Sequence, residues 1–196
     1  MGTQPTPQGP PPPPPAPAEI YAVFCGGIEQ ATAQKIVSGL AGAMALKAQH
    51  VHVLFQTAGG YIADGVFLYN FFRTIPIELT LYNGGQISSA GVIAFLGARH
   101  RKTSPNATFM VHRSTNTAQF ATSTKLKHMA KSLILDDQRC ETILKNHVNL
   151  PPEMWAEIEH RDLYISGDEA VGFNMADEIG EFSPPAGTQV FNLLLG

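Results

Sequence analysis

The chain has 196 residues, a net charge of −3, 44% hydrophobic and 15% charged residues. That length fits one globular domain with a sizeable core, and the scattered, slightly acidic charge argues against nucleic acid as a partner. Two cysteines, Cys25 and Cys140, make no disulfide framework and read as thiols of a reducing compartment.

Residues 1–18 are dominated by proline and read as a solvated, disordered tail outside any packed core. The tail has no basic start, and its prolines at 11–15 forbid a helical apolar segment, so it is not a signal peptide. No apolar run approaches the ~20 residues of a membrane-spanning helix. A cytoplasmic protein without a membrane partner is expected.

From Glu19 the pattern changes, and residues 19–182 read as one α/β domain. Ile20-Tyr21-Ala22-Val23-Phe24 predicts a strand ended by Gly26-Gly27. Ile36, Val37, Leu40 and Met44 recur at helical spacing and predict a helix over 31–49. A buried strand follows over 51–56, then a helix over 62–73 with Val66, Tyr69 and Phe72 on one stripe. Pro76 separates that helix from a strand over 77–82. Next comes a glycine-rich, serine-bearing turn, Gly84-Gly85-Gln86-Ile87-Ser88-Ser89-Ala90-Gly91, leading into a short buried helix. The basic run Arg99-His100-Arg101-Lys102 reads as a solvated loop, and residues 108–112 as a strand.

The remainder is more helical. A long helix is expected over 123–147, with Leu126, Met129, Leu133, Cys140 and Leu144 on or near one face. Pro151-Pro152-Glu153 starts another helix. Leu163-Tyr164-Ile165 is strand-like, and Ser166-Gly167-Asp168-Glu169 opens a last helix that ends near Asn174, a residue tolerant of the left-handed cap position. Residues 176–179 form a final short strand or turn, and 183–196 a loosely attached tail. Alternating strands and helices mean right-handed crossovers and a mostly parallel sheet covered on both faces. Ligand sites in such sheets lie at the carboxyl ends of the strands. Gly59-Gly60, Ser89 and His112 all fall at such ends.

Those positions hold the parts of a nucleophilic acyl-transfer site. A serine needs a base, the base an orienting acid, and the tetrahedral intermediate needs donors. Ser89 can attack, His112 can take its proton, Asp162 can orient and stabilise the imidazole, and backbone N–H groups of Gly59 and Ala90 can face an oxyanion. Each part also has an ordinary structural explanation: a helix N-cap, a strand-end histidine, a surface acid, a tight turn. With seven histidines and sixteen acids, triples of this kind also arise by accident. His50 and His52 lie on the same side of a strand, but no cysteine or carboxylate near in sequence completes a metal site, so no metal or cofactor is expected.

The motifs together resemble those of the Clp protease proteolytic subunit family. They are Gln56-Thr57-Ala58-Gly59-Gly60, Gly85-Gln86-Ile87-Ser88-Ser89-Ala90-Gly91, Phe109-Met110-Val111-His112 and His160-Arg161-Asp162-Leu163-Tyr164-Ile165-Ser166, with the ending Glu169-Ala170-Val171 and Asn174-Met175-Ala176-Asp177. The resemblance runs over about residues 20–182. It implies a crotonase-like ββα spiral with a protruding handle helix from Ser123. It also implies serine endopeptidase activity inside a self-compartmentalised homo-oligomeric ring, two stacked heptamers being one such form.

By the same resemblance the nucleophile is Ser89 rather than Ser88, the base His112, the third member Asp162, and the oxyanion donors Gly59 and Ala90. Polypeptides are the implied substrates, adding as a strand along 115–120, and an AAA+ unfoldase ATPase is the candidate partner. Several positions depart from the family pattern. Thr57-Ala58 stands for Ser-Pro, and the handle segment 114–120 lacks glycine. His52 and Leu54 replace tyrosines that help dock the ATPase, and the proline-rich tail replaces the axial segment. Two other readings stay open from the residues alone: a crotonase-like acyl-CoA enzyme, and a non-catalytic ring protein.

Overall fold

The structure, a computed structural model, describes residues 18–194, so the expected proline-rich tail lies outside it except for Ala18. Along the chain the elements are β1 (Glu19–Cys25), α1 (Gln30–Ala45), β2 (His50–Thr57), α2 (Ile62–Thr74), β3 (Glu78–Ser88), α3 (Ala90–Phe95), β4 (His100–Thr103) and β5 (Thr108–Val111). There follow α4 (Ser123–His147), α5 (Pro152–Ile158), β6 (Leu163–Ser166), α6 (Gly167–Gly172), β7 (Glu178–Ile179) and β8 (Val190–Asn192).

The strands order as β6-β5-β3-β2-β1-β8, with β4 and β7 branching from β3. Every pairing is parallel except β5 with β6, as the alternation of elements predicts. The central strands are buried along most of their length because helices cover them. Val51, Val53, Phe55, Leu79 and Leu81 form the middle of the core, and all six residues of α3 are buried.

β3 organises the branch. Glu78 to Asn83 pair with β2, and Thr80 to Asn83 also with β4, while Gln86 to Ser88 pair with β5. The strand therefore changes partners at Gly84-Gly85, a stretch expected as a turn. It stays extended within β3, between the two sets of pairings, and its lack of side chains makes room for β2: a Cβ on Gly84 would lie 2.5 Å from Leu54 Cδ1. The fully buried Asn83 stitches the junction. Its Nδ2 donates to the Thr108 carbonyl at 2.9 Å, and its Oδ1 accepts from Gly85 N at 3.1 Å.

Two further expectations are corrected. The basic run at 99–102 is not a solvated loop: His100 to Lys102 belong to β4. Its polar side chains meet carboxylates on other parts of the chain. Arg99 and His100 meet Glu78, Lys102 meets Glu178, and the buried Arg101 meets Asp177 Oδ1 at 2.5 Å while donating to the Asn174 carbonyl at 3.3 Å. The tail from Ser183 also returns to the sheet. β8 pairs with β1, Leu193 is buried, and Lys35 Nζ donates to the Leu194 carbonyl at 2.5 Å. Asn174 takes φ 60°, the left-handed position expected of it.

α4 is anchored only at one end. At ~1.5 Å per residue its 25 residues span about 37 Å, yet its buried residues are Ile143 and Leu144, near the C-terminus. Leu126, Ile134 and Leu135 stand exposed on the part that projects. Arg101→Ala should lower stability by ~2 kcal/mol, because it removes the buried guanidinium that meets Asp177 Oδ1 and the Asn174 carbonyl, leaving Asp177 only its bond from the backbone N–H of residue 101. Urea denaturation with an unchanged m-value checks this.

Candidate active site

Ser89 sits between β3 and α3 with φ 54° and ψ −127°. A serine in that region costs roughly 1–3 kcal/mol and persists only where its surroundings hold it. Here its N–H donates to the Met110 carbonyl of β5 at 2.8 Å, and its own carbonyl accepts from Val92 N at 2.9 Å. The side chain makes no capping bond to α3. Its Oγ instead lies 2.7 Å from His112 Nε2. The neighbouring hydroxyl goes elsewhere: buried Ser88 Oγ accepts from Gln86 Nε2 at 2.9 Å.

His112 follows β5 directly and is half-buried. Asp162 directly precedes β6. The β5–β6 ladder ends at Val111 opposite Leu163, so one more step of that antiparallel register sets His112 opposite Asp162. Opposed residues in such ladders have Cβ atoms about 4.5–5.5 Å apart. The Asp162 side chain is exposed, however, and among the described residues no hydrogen bond or ion pair joins it to His112. Other acids line a small cavity of about 70 Å³ beside His112, and they are engaged. Asp137 Oδ1 accepts from Ser114 N at 2.8 Å, while Glu141 and Glu159 both meet Arg113. This acid–arginine group was not legible in the sequence, since α4, α5 and β5 are far apart along the chain.

The loop after β2 closes the site from the other side. Gly59 has φ 95°, and a Cβ there would lie 2.6 Å from Ser89 Cβ and 3.3 Å from Ala90 N. Backbone therefore approaches the serine turn as closely as it can. The Gly59 N–H, expected as an oxyanion donor, donates to Thr57 Oγ1 at 3.0 Å. The next N–H, of Gly60, meets no protein acceptor among the described residues. Ala90 is the first residue of α3, where backbone N–H groups are free of helical bonds.

Cys140 also borders the cavity, but burial pushes its thiol up to about 12, so it stays protonated and is no nucleophile. At the far end of the sheet, β1 supplies the carboxylate that the sequence around His50 and His52 lacks: donor atoms of Glu19, His50 and His52 lie within 4.8 Å of one another. No helix among the described residues is long and apolar enough to cross a membrane.

Comparison with known proteins bears on the family and the fold. The family model described as Clp protease matches residues 18–183. ATP-dependent Clp protease proteolytic subunit 3 of Rhizobium etli is 25% identical over 157 residues, covering 79% of this chain and 80% of that protein. The subunit of the same name in Rhizobium meliloti is 23% identical over the same shares of both. A solved structure of a ClpP1 mutant from Listeria monocytogenes superposes with a TM-score of 0.72 at 20% identity, covering 84% of this chain and 92% of that one. The chain belongs to the Clp protease family, and its fold is the crotonase-like α/β fold of that structure.

Gly59→Ala should cost about 2 kcal/mol, since an L-residue there combines an unfavourable φ with overlap against Ser89. Thermal unfolding of the variant beside Gly172→Ala, whose site is open, checks the comparison.

Proposed function

We propose that the chain is a serine endopeptidase in which Ser89 is the nucleophile, His112 the general base and Asp162 the third member of the triad. The observation that carries this is the 2.7 Å contact between His112 Nε2 and Ser89 Oγ, made at the carboxyl ends of neighbouring strands. Family membership supports peptide-bond hydrolysis, and none of the findings favours an acyl-CoA enzyme or a non-catalytic ring protein.

In the reaction, Oγ attacks the scissile carbonyl as Nε2 takes its proton. The imidazolium then returns that proton to the leaving amine, and water repeats the sequence on the acyl-enzyme. Ala90 N–H is one oxyanion donor. The Gly59-Gly60 turn supplies the second donor: Gly59 N–H, the expected one, donates to Thr57 Oγ1 at 3.0 Å, and Gly60 N–H meets no acceptor among the described residues. A carboxylate at Asp162 turned inward across the end of the β5–β6 ladder stabilises the imidazolium. The exposed run 115–120 is where a polypeptide adds as a strand.

The projecting half of α4 bears Leu126, Ile134 and Leu135, apolar surface that supports a homo-oligomeric ring with α4 as the handle between stacked rings. The unpaired Cys25 and Cys140 fit a reducing cytoplasm. An AAA+ unfoldase ATPase remains the candidate partner, with His52 and Leu54 on the strand where the family's docking tyrosines stand.

A fluorophosphonate probe should label the assembled protein and the Ser88→Ala variant, and fail on Ser89→Ala. Loss of labelling in Ser88→Ala with retention in Ser89→Ala would reassign the nucleophile. Asp162→Asn should lower kcat on a peptide by about 10²–10⁴; an unchanged kcat removes Asp162 from the triad. Light scattering should give a mass several times the 21.1 kDa of one chain. Leu135→Asp should shift it toward smaller species.

A further inference from the structure

The amino ends of the strands, opposite Ser89, carry a polar cluster that the peptidase reading does not use. β1 and β2 pair with Glu19 opposite His50 and Tyr21 opposite His52. β3 adds Thr80 opposite His52 and Tyr82 opposite Leu54. His50 and His52, two apart on one strand, present their rings to one face, stacked with centroids 3.9 Å apart. Ligand atoms of Glu19, His50 and His52 lie within 4.8 Å of one another, and His52 Nε2 lies 3.9 Å from Glu19 Oε1.

Three features separate this cluster from ordinary packing. His52 is more than nine-tenths buried, and its Nε2 has no hydrogen-bond partner among the described residues. A buried polar atom left in that state costs about 1–3 kcal/mol unless something meets it. Each donor residue is also oriented from behind by a hydroxyl. Tyr82 Oη holds His52 Nδ1 at 3.0 Å, Thr80 Oγ1 holds His50 Nε2 at 2.7 Å, and Tyr21 Oη donates to Glu19 Oε2 at 2.9 Å. Each imidazole keeps one nitrogen and the carboxylate one oxygen, as metal ligands do when a second layer fixes them. Lastly, the nearby cation Lys102 is paired with Glu178 at 2.7 Å.

We propose that Glu19, His50 and His52 form a binding site for a divalent transition-metal ion, with zinc the best match to its two nitrogens and one oxygen. A tetrahedral zinc with bonds near 2.1 Å sets its ligand atoms about 3.4 Å apart. Rotation of the exposed Glu19 side chain and small ring adjustments close the gap from the present spacing. A fourth position is open to water or to His100, whose ring centroid lies 6.0 Å from that of His50. The ion would clasp the start of β1 to β2. It takes no part in peptide hydrolysis, because His52 lies five residues, about 17 Å of strand, before Thr57 at the active-site end of β2.

The test is a calorimetric titration of the full-length protein, freed of metal with a chelator, with zinc chloride at pH 7.5, repeated with cobalt(II) to read ligand-field absorption. One saturating ion per chain is expected. Glu19→Gln and His50→Gln should weaken binding by on the order of 10–100-fold and change the cobalt spectrum. His128→Gln, on the projecting half of α4, and Ser89→Ala should bind as the unmodified protein does, which keeps the result independent of the peptidase reading. His52→Gln should abolish binding; because that residue is buried, the two less buried variants decide the matter if it fails to fold. Absence of saturable binding at tens of micromolar zinc overturns the site. So does undiminished affinity in both Glu19→Gln and His50→Gln.

Discussion

The close crossing of the loop after β2 over the β3–α3 turn is the constraint on which the rest depends. At that crossing almost no side chain fits between backbones. Gly59 lies against Ser89, the Thr57 methyl fills the space a Cβ on Gly91 would need, and a Cβ on Gly65 of α2 would sit 2.6 Å from the Ala90 carbonyl. The result is a short helix buried on every side whose first free N–H groups open onto a serine held in an unfavourable backbone conformation. Ser89 cannot relax, because β5 holds its N–H and α3 its carbonyl. Strain at one residue is thus maintained by the packing of four elements, the usual relation between a reactive group and its scaffold.

The two ends of the sheet divide the chemistry. At the carboxyl ends, glycines and serines leave backbone donors exposed to a reacting group. At the amino ends, long polar side chains meet in pairs: Glu78 with Arg99 and His100, and Glu178 with Lys102. β4 illustrates why a run of basic residues can be a strand. Once each charge has its partner, the aliphatic stems pack like any other strand surface. Arg101 is buried there without an unpaired charge.

Much of this was legible in the sequence. Helical spacing located α1, α2 and α4, and the alternation of elements foretold the parallel sheet. Ser89, His112 and the Gly59-Gly60 turn were picked out by their places at strand ends, and the structure brings the first two into contact. The failures share one cause. Gly84-Gly85 reads as a turn because glycine is the local punctuation for one, but pairing with strands distant in sequence on either side keeps it in β3, where Leu54 takes the space of the missing side chain. The run at 99–102 was read as solvated because its partners lie some 20 residues before it and 75 after. The last strand was missed because β1, which it joins, is at the opposite end of the chain. For the same reason the carboxylate beside His50 and His52 was invisible until β1 and β2 were paired. Local propensity carries no information about a partner distant along the chain.

The position of Asp162 follows from where order stops. His112 and Asp162 are each one residue beyond the final rung of the β5–β6 ladder, and the chain after His112 is exposed over 115–120 before entering a helix anchored only at its far end. Arg113 and Ser114 are tied to α4 and α5, but among the described residues no bond holds the Asp162 carboxylate toward His112, and it keeps its preference for water. On the ring reading, the same apolar residues of α4 that one chain leaves bare are covered by a second. The run at 113–122 is tied to α4 by covalent continuity and by the bond from Ser114 N to Asp137. Burial of the handle and alignment of the triad are then one event. On the same reading, the Ser89–His112 contact depends only on the core of β3 and β5, while the place of Asp162 depends on a neighbour.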